Sequence, residues 1–211
     1  MRHGDVAYFD GDGRPVHPDG VRLTEAGRKE ARAAAAMLAG IEFDRVLASG
    51  LPRTVETAAI VAPGREPEIW PELRELEGGR LEDIPEDALE AAFARAFHGV
   101  IPEDTRFLAG ETIGSLFDRV LPAVDRLLAA DDWDIVLAVL HGAVNRAILS
   151  YALTGGRMFL GNFEQAPACV NVLDVGEDWI VRAVNVTAYD LTHRRGRLRN
   201  MEELWQQFRS T

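Results

Sequence analysis

Cysteine is almost absent from this chain: Cys169 stands alone among 211 residues. No disulfide can form within it, and no Cys/His spacing suited to zinc exists. Lysine is as scarce, occurring only at Lys29, while arginine, alanine, glycine and aspartate abound, the composition of a GC-rich genome. Long apolar runs are missing too. A clean one, residues 135–140, falls far short of the ~20 residues that a membrane span requires, and no charged-then-apolar leader opens the chain. Positive charge is in deficit, with 23 Lys+Arg against 34 Asp+Glu and a net charge of −11. Long-range repulsion therefore opposes binding to a polyanionic backbone. These absences predict a cytoplasmic chain with neither a membrane nor nucleic acid as partner.

What is present suits one domain over residues 1–211, since 47% of the residues are hydrophobic and typical domains run to roughly 100–200 residues. Thr24 is a natural N-cap for a helix reaching about residue 38. Residues 43–48 read as a short strand and 52–61 as a helix. Residues 86–97 look helical, and Ile113, Leu116, Phe117, Val120, Leu121, Val124, Leu127 and Leu128 make an apolar stripe at 3/4 spacing, with a kink predicted at Pro122. The run 134–140 has the continuous apolarity of a strand buried on both faces of a parallel sheet, with a helix over 143–153 behind it. Residues 169–175 and 179–186 flank the turn-like Gly176-Glu177-Asp178 and predict a hairpin appended to that sheet. The fold class is α/β with a mixed, mostly parallel sheet. Residues 192–211 read as a peripheral tail with a short helix.

Chemistry-bearing residues gather in a few places. Arg2-His3-Gly4 sets a permanent cation beside an imidazole that can be neutral at pH 7, a pairing suited to in-line attack on a phosphoryl group. A second His-Gly, His141-Gly142, follows the apolar run. Leu23-Thr24-Glu25-Ala26-Gly27, Ser49-x-x-x-Arg53-x-x-x-Thr57, Leu73-Arg74-Glu75 and Gly110-Glu111-Thr112 lie between. In this order the motifs resemble those of the histidine phosphatase superfamily, the clan that includes the cofactor-dependent phosphoglycerate mutases.

That resemblance implies a three-layer α/β sandwich, phosphoglycerate mutase-like, and a metal-independent phosphomonoester hydrolase without cofactor that acts on a small phosphorylated metabolite. It implies His3 as the nucleophile forming a phosphohistidine, with Arg2, Arg53 and His141 around the non-bridging oxygens and Gly4 and Asp5 beside the substrate. Glu75 is the implied acid for the leaving group; Glu72, Glu77 and Asp5 remain alternatives to it. Family members carry several apolar residues before the Arg-His-Gly, so a strand is expected ahead of Arg2, of which only Met1 is present. Residues 5–22, with Tyr8, Phe9, Arg14, His17 and Arg22, form a loop that either borders the substrate or caps the core. Thr112 is expected to cap a helix. His193, Arg194, Arg195, Arg197 and Arg199 form a basic cluster expected to be solvated.

Three other readings compete. A phosphoglycerate mutase needs lid segments that keep water from its phosphoenzyme; the acidic stretch 81–97 does not resemble them. A silent phospho-ligand-binding domain would not need Arg2, His3, Arg53, Glu75 and His141 intact. A metal hydrolase built on His3, His17 and His141 would set Arg2 and Arg53 against a cation.

Overall fold

The computed structural model describes residues 1–12, 14, 16–94, 96–193 and 200–209. In chain order come α1 (Glu25–Met37), β1 (Arg45–Ala48), α2 (Pro52–Val61), β2 (Glu68–Ile69), α3 (Glu86–Ala94), β3 (Val100–Ile101), α4 (Ile113–Leu128), β4 (Val136–Val139), α5 (Gly142–Thr154), β5 (Phe159–Leu160), β6 (Val170–Val175), β7 (Trp179–Val186) and α6 (Asn200–Arg209). Local chemistry starts the helices where the sequence predicts. Thr24 Oγ1 accepts from Gly27 N at 2.9 Å, and Thr112 Oγ1 from Ser115 N at 3.0 Å, each satisfying an otherwise orphaned helix donor. Pro52 opens α2, where its missing N–H costs nothing. α4 runs through Pro122 to Leu128; its buried face of Leu116, Phe117, Val120 and Val124 holds it against the core.

β1 is the centre of a parallel sheet ordered β2-β1-β4. Its side chains alternate between two cores. Leu47 joins Leu116, Phe117, Val144 and Ala147 under α4 and α5, while Val46 joins Ala31, Ala34, Ala58 and Val61 under α1 and α2. The helices thus cover both faces, giving the three layers, and the strands read as apolar runs for that reason.

Beyond β4 the ladder continues through the first residues of the chain. Leu140 N donates to Met1 O at 2.8 Å and His3 N to Leu140 O at 3.0 Å, with a parallel bridge between Arg2 and Leu140. On their other side Arg2 N donates to Cys169 O at 3.0 Å and Ala168 N to His3 O at 2.9 Å. Residues 1–3 therefore sit between β4 and the chain leading into β6. The β6–β7 hairpin is antiparallel, as its turn predicts.

Within the tail segment, α6 lies on α3: Trp205 and Phe208 stack on Phe93 at 5.7 and 5.8 Å between ring centroids. Arg194, Arg195, Arg197 and Arg199 fall outside the described residues, and His193 is exposed. The turn after His3 meets α1 backbone to backbone. A Cβ on Gly4 would lie 2.5 Å from Gly27 O, and one on Gly27 2.2 Å from Asp5 O, so neither position has room for a side chain.

Candidate active site

His3 and His141 both leave the sheet at the carboxyl ends of parallel strands, the edge where ligands of open α/β sheets gather. Their rings lie 5.2 Å apart at 64°, and both are buried, at 1% and 0% exposure. His3 Nδ1 is 2.7 Å from Gly4 O. A carbonyl only accepts, so Nδ1 carries the proton and Nε2 keeps the lone pair. Burial, then the charges of Arg2 and Arg53, hold His3 well below the ordinary histidine range, which keeps that lone pair available.

His141 Nε2 is 2.7 Å from Ser49 Oγ, and Ser49 Oγ is 3.1 Å from Thr54 Oγ1. Thr54 spends its only hydroxyl proton on Leu51 O at 2.8 Å. Ser49 must then donate to Thr54 and accept from His141 Nε2–H. Nδ1 is left with the lone pair and no partner. Burial first, then His3, Arg53, Arg2 and Arg119, lower the pKa of His141 as well. An arriving phosphate either donates to Nδ1 through a protonated oxygen or, by neutralising the surrounding cations, lets Nδ1 take a proton and donate.

Two arginines close the arrangement. Arg53, 2% exposed in the first turn of α2, donates through Nη1 to Pro18 O at 2.6 Å. Arg2 donates through Nη1 to Gln165 O at 2.5 Å. Among the described residues the buried side-chain nitrogens and oxygens without a hydrogen-bond partner are Arg2 Nε, Arg53 Nε and His141 Nδ1. Leaving such groups unpaired is costly, and all three belong to residues predicted to hold one anion. The Ser-x-x-x-Arg-x-x-x-Thr spacing also acquires its physical meaning. Ser49 orients His141, Arg53 faces the cluster, and Thr57 Oγ1 accepts from Gly4 N at 3.1 Å while donating to Arg53 O at 2.7 Å, tying α2 to the turn after His3.

Tertiary packing separates the three candidate glutamates. Glu72 pairs with Arg126 at 3.0 Å, and Glu77 is exposed. Glu75 alone of these turns to the cluster, accepting from Gly142 N at 2.9 Å and Ala143 N at 3.1 Å at the start of α5. Its segment is braced by residues that sequence reading missed. Arg119 pairs with Glu111 through Nε at 2.8 Å and Nη2 at 2.9 Å, and donates to the carbonyls of Glu72, Arg74 and Glu75 at 2.7, 2.7 and 3.2 Å. Glu111, read from sequence only as part of a helix start, holds the arginine that holds Glu75. We expect Arg119→Met to destabilise the fold by about 2 kcal/mol, since it strands a half-buried carboxylate and three carbonyls. A fall in Tm of about 4–8 °C follows for a chain of this length, and calorimetry checks it. Turnover of alkyl phosphates should fall more than that of p-nitrophenyl phosphate, because the displaced group is the acid.

The other residues singled out from the sequence make further contacts. Gly4 N is bonded to Thr57, and Asp5 Oδ2 accepts from Thr24 Oγ1 at 2.7 Å. His17 is exposed, its Nδ1 accepting from Asp19 N at 3.3 Å. Among the described residues no group of three His, Cys, Asp or Glu side chains is placed to hold a metal ion. Desolvation, the largest cause, raises the pKa of the Tyr8 phenol, and the charges of Arg53, Arg2, Glu75 and Asp5 act on it. Gln165, buried in a loop, had no signal in the sequence. Arg146, one turn beyond Gly142 on α5, had one in its spacing from the second His-Gly.

The lowered histidines have a measurable consequence. Turnover of p-nitrophenyl phosphate should persist as pH falls below 6.5, the ordinary histidine value, because burial and the charges of Arg2 and Arg53 disfavour protonation of His3. Stability should fall over the same range. The unfolded chain takes up protons at histidine below about pH 6.5 that the folded chain refuses. A pH–rate profile beside melting curves reads both; rising Tm on acidification would contradict the buried neutral pair.

Comparison with known proteins shows the family. The family model of the histidine phosphatase superfamily (branch 1) matches residues 1–187. An adenosylcobalamin/α-ribazole phosphatase of Salmonella typhimurium is 30% identical over 164 residues, covering 74% of this chain and 79% of that protein. The "Probable phosphoglycerate mutase GpmB" of an Enterobacter species is 31% identical over 159 residues, covering 72% and 73%. The crystal structure of the α-ribazole phosphatase of Shigella flexneri superposes with a TM-score of 0.69 at 24% identity over 88% of this chain and 94% of that one, which establishes the fold. The chain belongs to the histidine phosphatase superfamily. It is an enzyme of the phosphatase class that this family defines, and no helix among the described residues is long and apolar enough to cross a membrane.

Proposed function

We propose that the chain is a metal-independent phosphomonoester hydrolase that works through a phosphohistidine on a small phosphorylated metabolite. The observation that carries this reading is the His3 tautomer: Nδ1 is committed to Gly4 O at 2.7 Å, so the lone pair of Nε2 is left beside two guanidiniums and an imidazole with unpartnered nitrogens. Nε2 attacks phosphorus in line as the bond to the leaving oxygen breaks; the electron pair leaves with that oxygen, which takes its proton from Glu75. Arg2, Arg53 and His141 stabilise the charge that spreads over the three non-bridging oxygens. Water then attacks the phosphohistidine and gives a proton to Glu75, and the P–N electron pair returns to His3. The single buried Cys169 fits a cytoplasmic setting.

Both phosphatases and a mutase-named protein stand among the relatives, so the decisive experiment measures fate as well as consumption of substrate. A panel of phosphomonoesters, including α-ribazole phosphate as the name of the Salmonella relative suggests, is scored for released inorganic phosphate. Interconversion of 3-phosphoglycerate is followed in parallel, with and without 2,3-bisphosphoglycerate. The expected result is phosphate release that needs neither metal nor bisphosphoglycerate. Bisphosphoglycerate-dependent interconversion with little hydrolysis overturns the hydrolase reading, and an absence of both reactions favours a silent binding domain.

A further inference from the structure

Arg146 is the largest unexplained charge near the site. It sits one turn into α5 and is only 7% exposed. Its Nε donates to Gly161 O at 3.2 Å, and its guanidinium carbon lies 4.8 Å from the centroid of the Phe97 ring. Neither partner carries a negative charge. No carboxylate forms an ion pair with it among the described residues; Glu164 and Glu75 act on it only from longer range, and burial pushes its pKa down to about 10, which leaves it a cation at neutral pH. A buried guanidinium without a counter-ion is costly, so its retention calls for an anion that arrives later.

Its position says where. A Cβ placed on Gly142 would lie 3.1 Å from Arg146 Nη1, 3.6 Å from Glu75 Oε2 and 3.9 Å from Arg2 Nε. Arg146 Nη1 thus reaches the neighbourhood shared by the acid and a cage arginine, on the side where Glu75 meets the leaving group. Nε is committed to Gly161, so Nη1 and Nη2 are the donors left, a pair matched to the two oxygens of one carboxylate.

We propose that Arg146 forms a second anion subsite on the leaving-group side of the phosphoryl cage, making the preferred substrate a phosphomonoester whose alcohol portion carries a carboxylate. The proposal rests on the phosphomonoesterase reading above. The alternative is a strut, in which Arg146 only ties α5 to Gly161 and Phe97 and serves all substrates alike.

The test compares phosphoglycolate and 3-phosphoglycerate, each against its methyl ester, with p-nitrophenyl phosphate as the substrate lacking a carboxylate. Wild-type kcat/KM should favour each acid over its ester by about tenfold or more, as expected of a desolvated charge pair. R146Q should erase the preference, its loss on the acids exceeding that on p-nitrophenyl phosphate by about tenfold and lying mainly in KM. Equal losses on all three substrates, or a wild type blind to the acid–ester difference, overturn the proposal. If R146Q does not fold, the wild-type comparison decides alone. If the wild type hydrolyses none of the substrates, the phosphatase reading falls, and calorimetric binding of the same acid–ester pairs still decides for or against the subsite.

Discussion

His3→Ala should lower kcat on every phosphomonoester by about 10⁴-fold or more, since it removes the proposed nucleophile. Rapid quench of the wild type in alkaline detergent should trap phosphate bound through an acid-labile, base-stable bond, and the variant should trap none. The geometry makes the effect this large. His141 is close, but its Nε2–H is spent on Ser49 at 2.7 Å, and its Nδ1 lies within the set of groups that face the oxygens. Near-normal turnover by His3→Ala would remove covalent catalysis by this residue and, with it, the mechanism.

Glu75→Gln should lower kcat/KM by about 10²- to 10³-fold on alkyl phosphates, the size of a lost general acid, and far less on p-nitrophenyl phosphate, whose leaving group departs without a proton. Gln keeps the shape but has one oxygen where the carboxylate now uses two, to Gly142 N at 2.9 Å and Ala143 N at 3.1 Å. Burst kinetics separate the two steps: with p-nitrophenyl phosphate the variant should form the phosphoenzyme at a near-normal rate and hydrolyse it slowly. Equal losses in kcat/KM on both kinds of substrate would move the acid to another group.

Much of this architecture was legible along the chain. Thr24 and Thr112 are the caps that their residue types predict, and α2 covers the span predicted for it, from Pro52 to Val61. The hairpin around Gly176 forms in the predicted register region. These features depend on neighbours within a few residues, which a linear reading sees. The α6 segment, read as peripheral, lies against α3 because Trp205 and Phe208 find Phe93, more than a hundred positions away in sequence. The two-residue ladder of β3 with β5 left no periodicity to read at all.

By itself the sequence determined the parts of the site: two His-Gly pairs, an arginine set between Ser49 and Thr57, and a carboxylate within residues 72–77. Spacing carries that information because each of these parts is anchored locally to the end of a strand or the start of a helix. Only the tertiary structure decided which nitrogen of each histidine is free, which of three glutamates faces the cluster, and which arginine is left buried without a counter-ion. Those outcomes turn on Gly4 O, Leu51 O, Arg119, Arg126 and Gly161, partners brought to hydrogen-bonding distance by packing. Proton positions and unpaired charges are properties of a three-dimensional neighbourhood, and residue spacing does not encode them.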